Sequence, residues 1–450
     1  MDTIVALATP PGRSAIAVIR LSGPQSVDII RTLLRDQCFT PEPNRIVLKK
    51  FVRESGEPLD YALVSYFQGP HSFTGEDMIE ISCHGSPVIL RQLLDLIQSL
   101  DARLADPGEF TLRAYKHGKM NVSQAEAIRD LINAQTDAAA VQAARQLRGE
   151  LSTALQPAKE KLIEIIVRLE SALEFVEDDL PAVHITEIER DLTGVMQAMH
   201  QLAATYSSGH LLREGLKVAI IGRPNVGKSS VFNRLLNLER AIVTEIAGTT
   251  RDSITESVCL RGIPVALTDT AGIREAEDRI EEIGVERSQR AMADADLLVI
   301  VIDGSHGLLA DDLAVVAQAT QGRRLVAVNK SDLPKVAGLE HQLSNLSPVV
   351  HVSAKTAEGF DSLIAAMLEP FGTVDSEAVG LLITDSRHYD LLRRMERSLE
   401  ESLLVLKNGA SEELVLIGLH NALKFLGEIT GETTSEDILS EIFSTFCIGK

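Results

Sequence analysis

Apolar positions change their spacing along the chain, and the changes divide it. Up to about residue 120 they fall in short continuous or alternating runs, Ile4 to Ala8, Ala15 to Leu21, Ala62 to Phe67 and Met78 to Cys83. Turn residues such as Pro10-Pro11-Gly12 and Gly69-Pro70 separate these runs. Such runs predict strands, and Leu90, Leu93, Leu94 and Ile97 predict one helix over 88–100. From about Ser123 to Val176 the spacing becomes three, four and seven, through Leu147, Leu151, Leu155, Leu162, Ile166, Leu169, Leu173 and Val176. Long bundle helices are expected there, with Pro157 a break or kink. Over 215–372 apolar strands (217–221, 263–267, 296–302, 324–328, 349–352) alternate with loops and helices, the rhythm of a doubly wound parallel sheet. After Pro370-Phe371-Gly372 the helical spacing returns. The expected fold class is α/β plus all-α, with a doubly wound domain inserted in a helical domain and a smaller α/β domain preceding both. Its parts are 1–120, 121–214, 215–372 and 373–450, and two independent helical domains are the alternative.

The strongest chemistry lies at Gly222-Arg-Pro-Asn225-Val226-Gly227-Lys228-Ser229, directly after an apolar strand and before a helix that opens at Ser230. This is the complete P-loop pattern in its required setting. Backbone N–H groups at the helix start cradle phosphate, Lys228 adds a cation, and the Ser229 hydroxyl ligates Mg²⁺. Asn329-Lys330-Ser331-Asp332 and Ser353-Ala354-Lys355 resemble the guanine-reading elements of GTPases. A buried Asp332 accepts two hydrogen bonds from guanine and is left unpaired by adenine. Asp269-Thr270-Ala271-Gly272 places an acid near Mg²⁺ and an N–H near the γ-phosphate, and Gly248-Thr249-Thr250 supplies Thr250 as second Mg²⁺ ligand. Ile273 stands where Ras-like enzymes carry a water-orienting glutamine. Another group must orient the water, and an acidic run at 275–282 follows, which on composition alone reads as a solvated helix face.

With 45% hydrophobic and 24% charged residues the chain is globular in composition. No apolar run reaches the ~18–20 residues of a membrane helix, and the start lacks the pattern of a signal peptide. Four scattered cysteines form neither a disulfide framework nor a zinc motif, so a cytoplasmic setting is expected. A net charge of −20 argues against a nucleic-acid partner, but its distribution is uneven. Residues 1–120 hold 13 basic and 14 acidic residues, whereas 121–214 hold 8 and 15 and 373–450 hold 7 and 14.

Pro10-Pro-Gly-Arg13, Phe73-Thr-Gly-Glu-Asp77, Pro107-Gly-Glu-Phe110, Gln124-Ala-Glu-Ala127, the P-loop and the terminal Phe446-Cys-Ile-Gly-Lys450 together resemble the MnmE (TrmE) family of tRNA-modification GTPases. The likeness spans the whole chain. It implies a K⁺-activated GTPase whose G domains dimerise. Asn225, Thr244, Ile246 and Thr249 would hold K⁺, within a nucleotide loop that includes Glu245 and Ala247. Glu281 would orient water, with Glu282 the neighbouring alternative, and Arg251 is read as a surface ion pair rather than a finger. The likeness also makes 1–120 a folate-binding and dimerisation domain. Arg20, Glu80, Lys119 and Lys450 would contact a tetrahydrofolate (5-formyl or 5,10-methylene). It implies a homodimer, a heterotetramer with the FAD-dependent MnmG (GidA), and modification of the wobble uridine of tRNA; the uneven charge leads us to expect that the tRNA is held mainly by that partner. Cys447, at the end of an amphipathic helix carrying Ile438, Leu439, Ile442, Phe443 and Phe446, is either a catalytic thiol or a packed structural one. A GTP-dependent assembly or signalling switch without folate chemistry is the alternative function.

Overall fold

A computed structural model describes residues 2–53, 55–174, 182–238, 255–269, 292–319, 322–334, 336, 338–344, 346, 348–371, 380–409 and 411–449. The chain divides into two compact units, one of Met1–Ile132, Gln146–Lys159 and Leu423–Lys450, the other of Asn133–Arg145 and Glu160–Ala422.

In the first unit β1 (Thr3–Leu7), β2 (Ser14–Ser22), α1 (Ser26–Leu34), β3 (Ile46–Val52), β4 (Pro58–Phe67), β5 (Met78–Gly85), α2 (Pro87–Gln98) and β6 (Ala102–Leu104) precede α3 (Glu109–Lys116) and α4 (Val122–Asn133). The sheet runs β3-β4-β5-β2-β1-β6 and is antiparallel except for the β1–β6 pair. Alternation along β2 sends Ala17, Ile19 and Leu21 into the core shared with α1 and α2. Arg20 and Ser22 therefore take the opposite face, where Ile4, Ala6, Ala105 and Phe110 form a small second cluster beside Phe73. Register sets Arg20 directly across from Glu80.

Next come α5 (Asp137–Leu147) and α6 (Glu150–Glu174), which runs on through Pro157. The expected break is absent; the proline lies in the third turn and costs the ladder one N–H. The second unit continues with α7 (Ala182–Ala204), α8 (Tyr206–Glu214), β7 (Leu216–Ile221), α9 (Lys228–Leu238), β8 (Thr255–Leu260), β9 (Ile263–Asp269), β10 (Leu297–Asp303), α10 (Ala310–Gln318), β11 (Arg323–Asn329), α11 (Leu339–Leu343), β12 (Val349–His351), α12 (Phe360–Leu368) and α13 (Ser386–Lys407). Its sheet is ordered β12-β11-β10-β7-β9-β8, with only β8 antiparallel. Parallel strands covered on both faces must be apolar throughout, as Leu297 to Ile302 are. The first strand, β7, sits between β10 and β9, so the chain leaves it at a topological switch point.

Helix α13, which follows the sheet, packs along α7, which precedes it. The sheet domain is thus an insertion in one helical domain rather than a divider between two. Leu211 and Leu212 of α8, expected in the helical part, lie in the core of the sheet. On the return Asp385 caps α13 by accepting from the Arg387 N–H (2.7 Å) and also takes Arg213 of α8 at 2.5 Å. Tyr206 stacks on Tyr389 with centroids 4.3 Å apart. The chain ends in α14 (Glu412–Thr430) and α15 (Glu436–Ser444). Leu439, Ile442, Phe443 and Phe446 pack on Val122 and Ala125 of α4, as the stripe predicts, but Ile438 stays 37% exposed and Phe446 lies past the helix.

Candidate nucleotide and folate sites

The loop after β7 is shaped by close approach. A Cβ on Gly222 (φ +153°) would stand 2.5 Å from the Val301 carbonyl, and one on Gly227 (φ +95°) 2.3 Å from the Asn329 side chain. Glycine is required at both. Asn225 between them takes φ 66°, a left-handed conformation that asparagine tolerates, so turn geometry is itself a reason for its presence. Val226 is fully buried and anchors the loop. Lys228 is 8% exposed, and its Nζ donates to the Arg223 carbonyl at 2.9 Å across the loop it closes. Ser229 and Ser230 stand exposed on the first turn of α9, where N–H groups lack intrahelical partners. Asp269 ends β9 buried, paired in register with Ile220 of β7.

Asn329, 2% exposed at the end of β11, joins the two halves of the site. Its Nδ2 donates to the Val226 carbonyl (3.0 Å), and its Oδ1 accepts from the Ala354 N–H (3.0 Å). Lys330 bonds Asp303 (2.6 Å) and reaches the Asn225 carbonyl (3.4 Å). Burial pushes the Asp303 pKa up, but Lys330 and the hydroxyl and N–H of Ser305 outweigh it and hold the carboxyl down at about 2. Ser353, fully buried, donates to Asp332 Oδ1 at 2.7 Å. Asp332 itself is exposed, not buried as expected. The carboxylate expected to read guanine is thus an exposed one oriented by Ser353, not a buried acid. Ala354 and Lys355 are fixed through their carbonyls by Arg234 of α9 (3.2 and 3.0 Å).

Sequence reasoning missed Arg223, Arg234, Asp303 and Asp312. Arg223 bonds Asp312 at 3.1 Å, and Asp312 in turn accepts from the Leu309 N–H at the start of α10. Asp303 had a readable signal, an acid ending a fully buried strand just as Asp269 does. The arginines act on groups distant in sequence and had none. Thr244, Glu245, Ile246, Ala247, Gly248, Thr249, Thr250, Arg251, Thr270, Ala271, Gly272, Glu281, Glu282 and Lys450 lie outside the described residues.

A second constellation sits on the open face of the first sheet. Arg20 donates from Nε and Nη2 to Glu80 (2.9 and 2.6 Å) and from Nη1 to the Gly449 carbonyl (3.3 Å), with the Phe73 and Phe110 rings each 5.8 Å away. The last residues reach it because glycines let backbones touch. A Cβ on Gly108 would meet the Phe443 carbonyl at 2.5 Å, and one on Gly449 the Leu7 carbonyl at 2.5 Å. The Gly108 N–H also donates to the Cys447 carbonyl (3.4 Å). Cys447 is exposed, which removes the packed-cysteine reading, since Phe446 closes the apolar face instead. Lys119 is exposed just beyond α3.

Comparison with known proteins shows the family. A family model described as the MnmE helical domain matches residues 122–447, and one described as GTP-binding protein TrmE N-terminus matches 3–119. The tRNA modification GTPase MnmE of Aquifex aeolicus is 42% identical over 450 residues, all of both chains. That of Koribacter versatilis is 44% identical over 456, covering all of this chain and 99% of the relative. Among solved structures, a point variant of Aquifex aeolicus Era bound to GDP·AlF4⁻ aligns at 24% identity and a TM-score of 0.30, over 41% of this chain and 66% of that one. A P-loop sheet inserted in a helical domain and preceded by a TrmE-type α/β domain, matched end to end by such relatives, places this chain in the MnmE family of tRNA-modification GTPases.

Proposed function

We propose that this chain hydrolyses GTP to GDP and phosphate and, with a flavin-carrying partner of the MnmG (GidA) type, installs an aminomethyl-type group (carboxymethylaminomethyl or aminomethyl) at C5 of the wobble uridine of tRNA. The observation that carries the reading is the Asn329 brace, which ties the phosphate loop to the segments matching the guanine elements. Asn225 to Ser230 would take the phosphates, and Asp332 with Ser353 to Lys355 the base. Among the described residues no group of three His, Cys, Asp or Glu stands ready for a metal. Mg²⁺ would arrive with the phosphates, ligated by Ser229 and Thr250 with Asp269 nearby. The exposed amide of Asn225 suits a cation beside the phosphates, and there K⁺ would offset charge on the leaving group. Its other proposed ligands are Thr244, Ile246 and Thr249, and Glu281 is the proposed water-orienting residue.

On the first sheet, Glu80 suits the donor-rich edge of a pterin, and Arg20, Lys119 and Lys450 suit a glutamate tail. A bound tetrahydrofolate would supply the one-carbon unit, with Cys447 exposed nearby. Ile46, Leu48, Tyr61 and Leu63 project from β3 and β4, 41–64% exposed, and Leu48 stands opposite Leu63. Such a face fits the proposed homodimer. The acidic helical stretches suit docking of a basic, tRNA-holding partner in the cytoplasm. No described helix is long and apolar enough to cross a membrane. The test is turnover of GTP by the full chain in K⁺ against Na⁺. Much faster hydrolysis in K⁺ is expected, and equal rates would overturn the potassium site.

A further inference from the structure

Three segments outside β2 and β5 surround Arg20: the 68–77 loop with Phe73, the turn into α3 with Phe110, and the tail with Gly449. One buried side chain, Arg113 on α3, reaches the anchor of each. It is 4% exposed. Its Nη1 donates to the Asp2 carbonyl (2.7 Å) and to Glu76 (3.0 and 3.2 Å). Its Nη2 donates to Asp2 Oδ1 (2.7 Å) and Glu109 Oε1 (2.9 Å), and Nε to the same Glu109 oxygen (3.3 Å). Arg103 shares Asp2 (2.5 Å) and Glu109 (2.6 and 2.8 Å). Burial pushes the Glu109 pKa up, but these guanidiniums and the Asp106 N–H outweigh it and bring it below its ordinary value.

Two of these carboxylates, Glu76 and Glu109, lead toward Arg20. Glu76 also accepts from Ser22 Oγ (2.7 Å), two residues along β2 on the Arg20 face, and belongs to the loop that carries Phe73. Glu109 lies between Gly108, whose N–H and missing Cβ seat the tail, and Phe110, which lies under the guanidinium of Arg20. Buried charge clusters are weak sources of stability, because desolvation offsets most of the attraction. What a rigid planar fork supplies is direction.

We propose that Arg113 is a positioning residue. Through Glu76 and Glu109 it fixes the 68–77 loop and the 446–449 tail around the Arg20–Glu80 pair, and so sets affinity for the tetrahydrofolate proposed to bind there. The ligand part rests on the folate reading above; the positioning part does not. The test uses the full chain with Arg113→Lys, Glu76→Gln and Glu109→Gln. It measures thermal melting, amide exchange of 68–77 and 446–449, and calorimetric titration with 5-formyltetrahydrofolate. A lysine keeps the charge but satisfies one carboxylate, so R113K is expected to exchange about tenfold faster in both segments and to bind about tenfold more weakly while still folded. E76Q is expected to loosen only 68–77 and E109Q only the tail, each weakening the folate, and these milder variants decide the matter if R113K does not fold. Lowered melting temperatures with exchange and affinity within twofold of the unsubstituted chain would reduce the hub to a fold brace and overturn the proposal. A chain that binds no folate, yet shows the segment-specific exchange, would overturn the ligand reading and leave the positioning role standing.

Discussion

Replacing Asn329 with Ala tests the brace between the phosphate loop and the base-reading loops. The carboxamide is 2% exposed and makes two hydrogen bonds of 3.0 Å, one to each loop. Truncation leaves the buried Val226 carbonyl without this partner, at about 1–3 kcal/mol, and the half-buried Ala354 N–H, at about 1 kcal/mol. A loss of about 2–4 kcal/mol is expected, divided between folding and binding according to how far the loops relax before nucleotide enters. Taken wholly in binding, at about 1.4 kcal/mol per decade, it weakens guanine nucleotide by roughly 30- to 700-fold. Taken wholly in folding, it lowers the melting temperature by roughly 4–16 °C for a unit of this size. Titration with a fluorescent GDP analogue, paired with a melt of the free protein, reads both shares. Asn329→Asp should lose at least as much, since an oxygen would then face the Val226 carbonyl. Affinity within threefold and melting within 1 °C for the alanine variant would refute the brace.

Asp332→Asn should shift base preference from guanine toward xanthine in competition binding, and retained tight GTP binding would remove Asp332 as the guanine reader. Asp385→Ala removes an N-cap, at about 1 kcal/mol, and a charged hydrogen bond from Arg213, which keeps Glu214 at 3.6 Å, so urea unfolding should show a loss of about 2–4 kcal/mol. For the native residue burial pushes the pKa up, but the charges of His388 and Arg213 and the Arg387 N–H hold it well below the usual carboxylate range. Its folded pKa being depressed, its stabilisation is present above the unfolded value of 3.8 and is lost as pH falls below that. The gap in stability between native chain and variant should narrow in acid; a gap independent of pH would contradict the assignment.

Much of the architecture is legible in the sequence because it repeats a local rule. The apolar run over 217–221, the glycines at 222 and 227 and the helix after Lys228 each report one residue's surroundings, and the structure places them as read. The strands at Ile46–Val52, Ala102–Leu104 and Thr255–Leu260 escape notice for a physical reason. They are edges, with partners on one side, so their apolar pattern is diluted; Ile46 and Leu48 even face outward. Asp332 misleads in the other direction, since its role suggests burial while the fold orients it at the surface through Ser353. The Arg20–Glu80 pair is visible only by resemblance, because their 60-residue separation is closed by sheet register alone. Arg113 carries no sequence signal, its partners being 111, 37 and 4 residues away.

The net charge of −20 first argues against nucleic acid, yet the TrmE-type domain is almost neutral and the acidic excess is concentrated in the helical stretches. The proposed partner would then supply most of the phosphate contacts to tRNA. The most direct test of the account is nucleoside analysis of tRNA from cells lacking this chain. Loss of the C5 aminomethyl-type substituent from wobble uridines is expected, restored by the native chain and not by a Lys228→Ala variant. An unchanged wobble-uridine profile would contradict it.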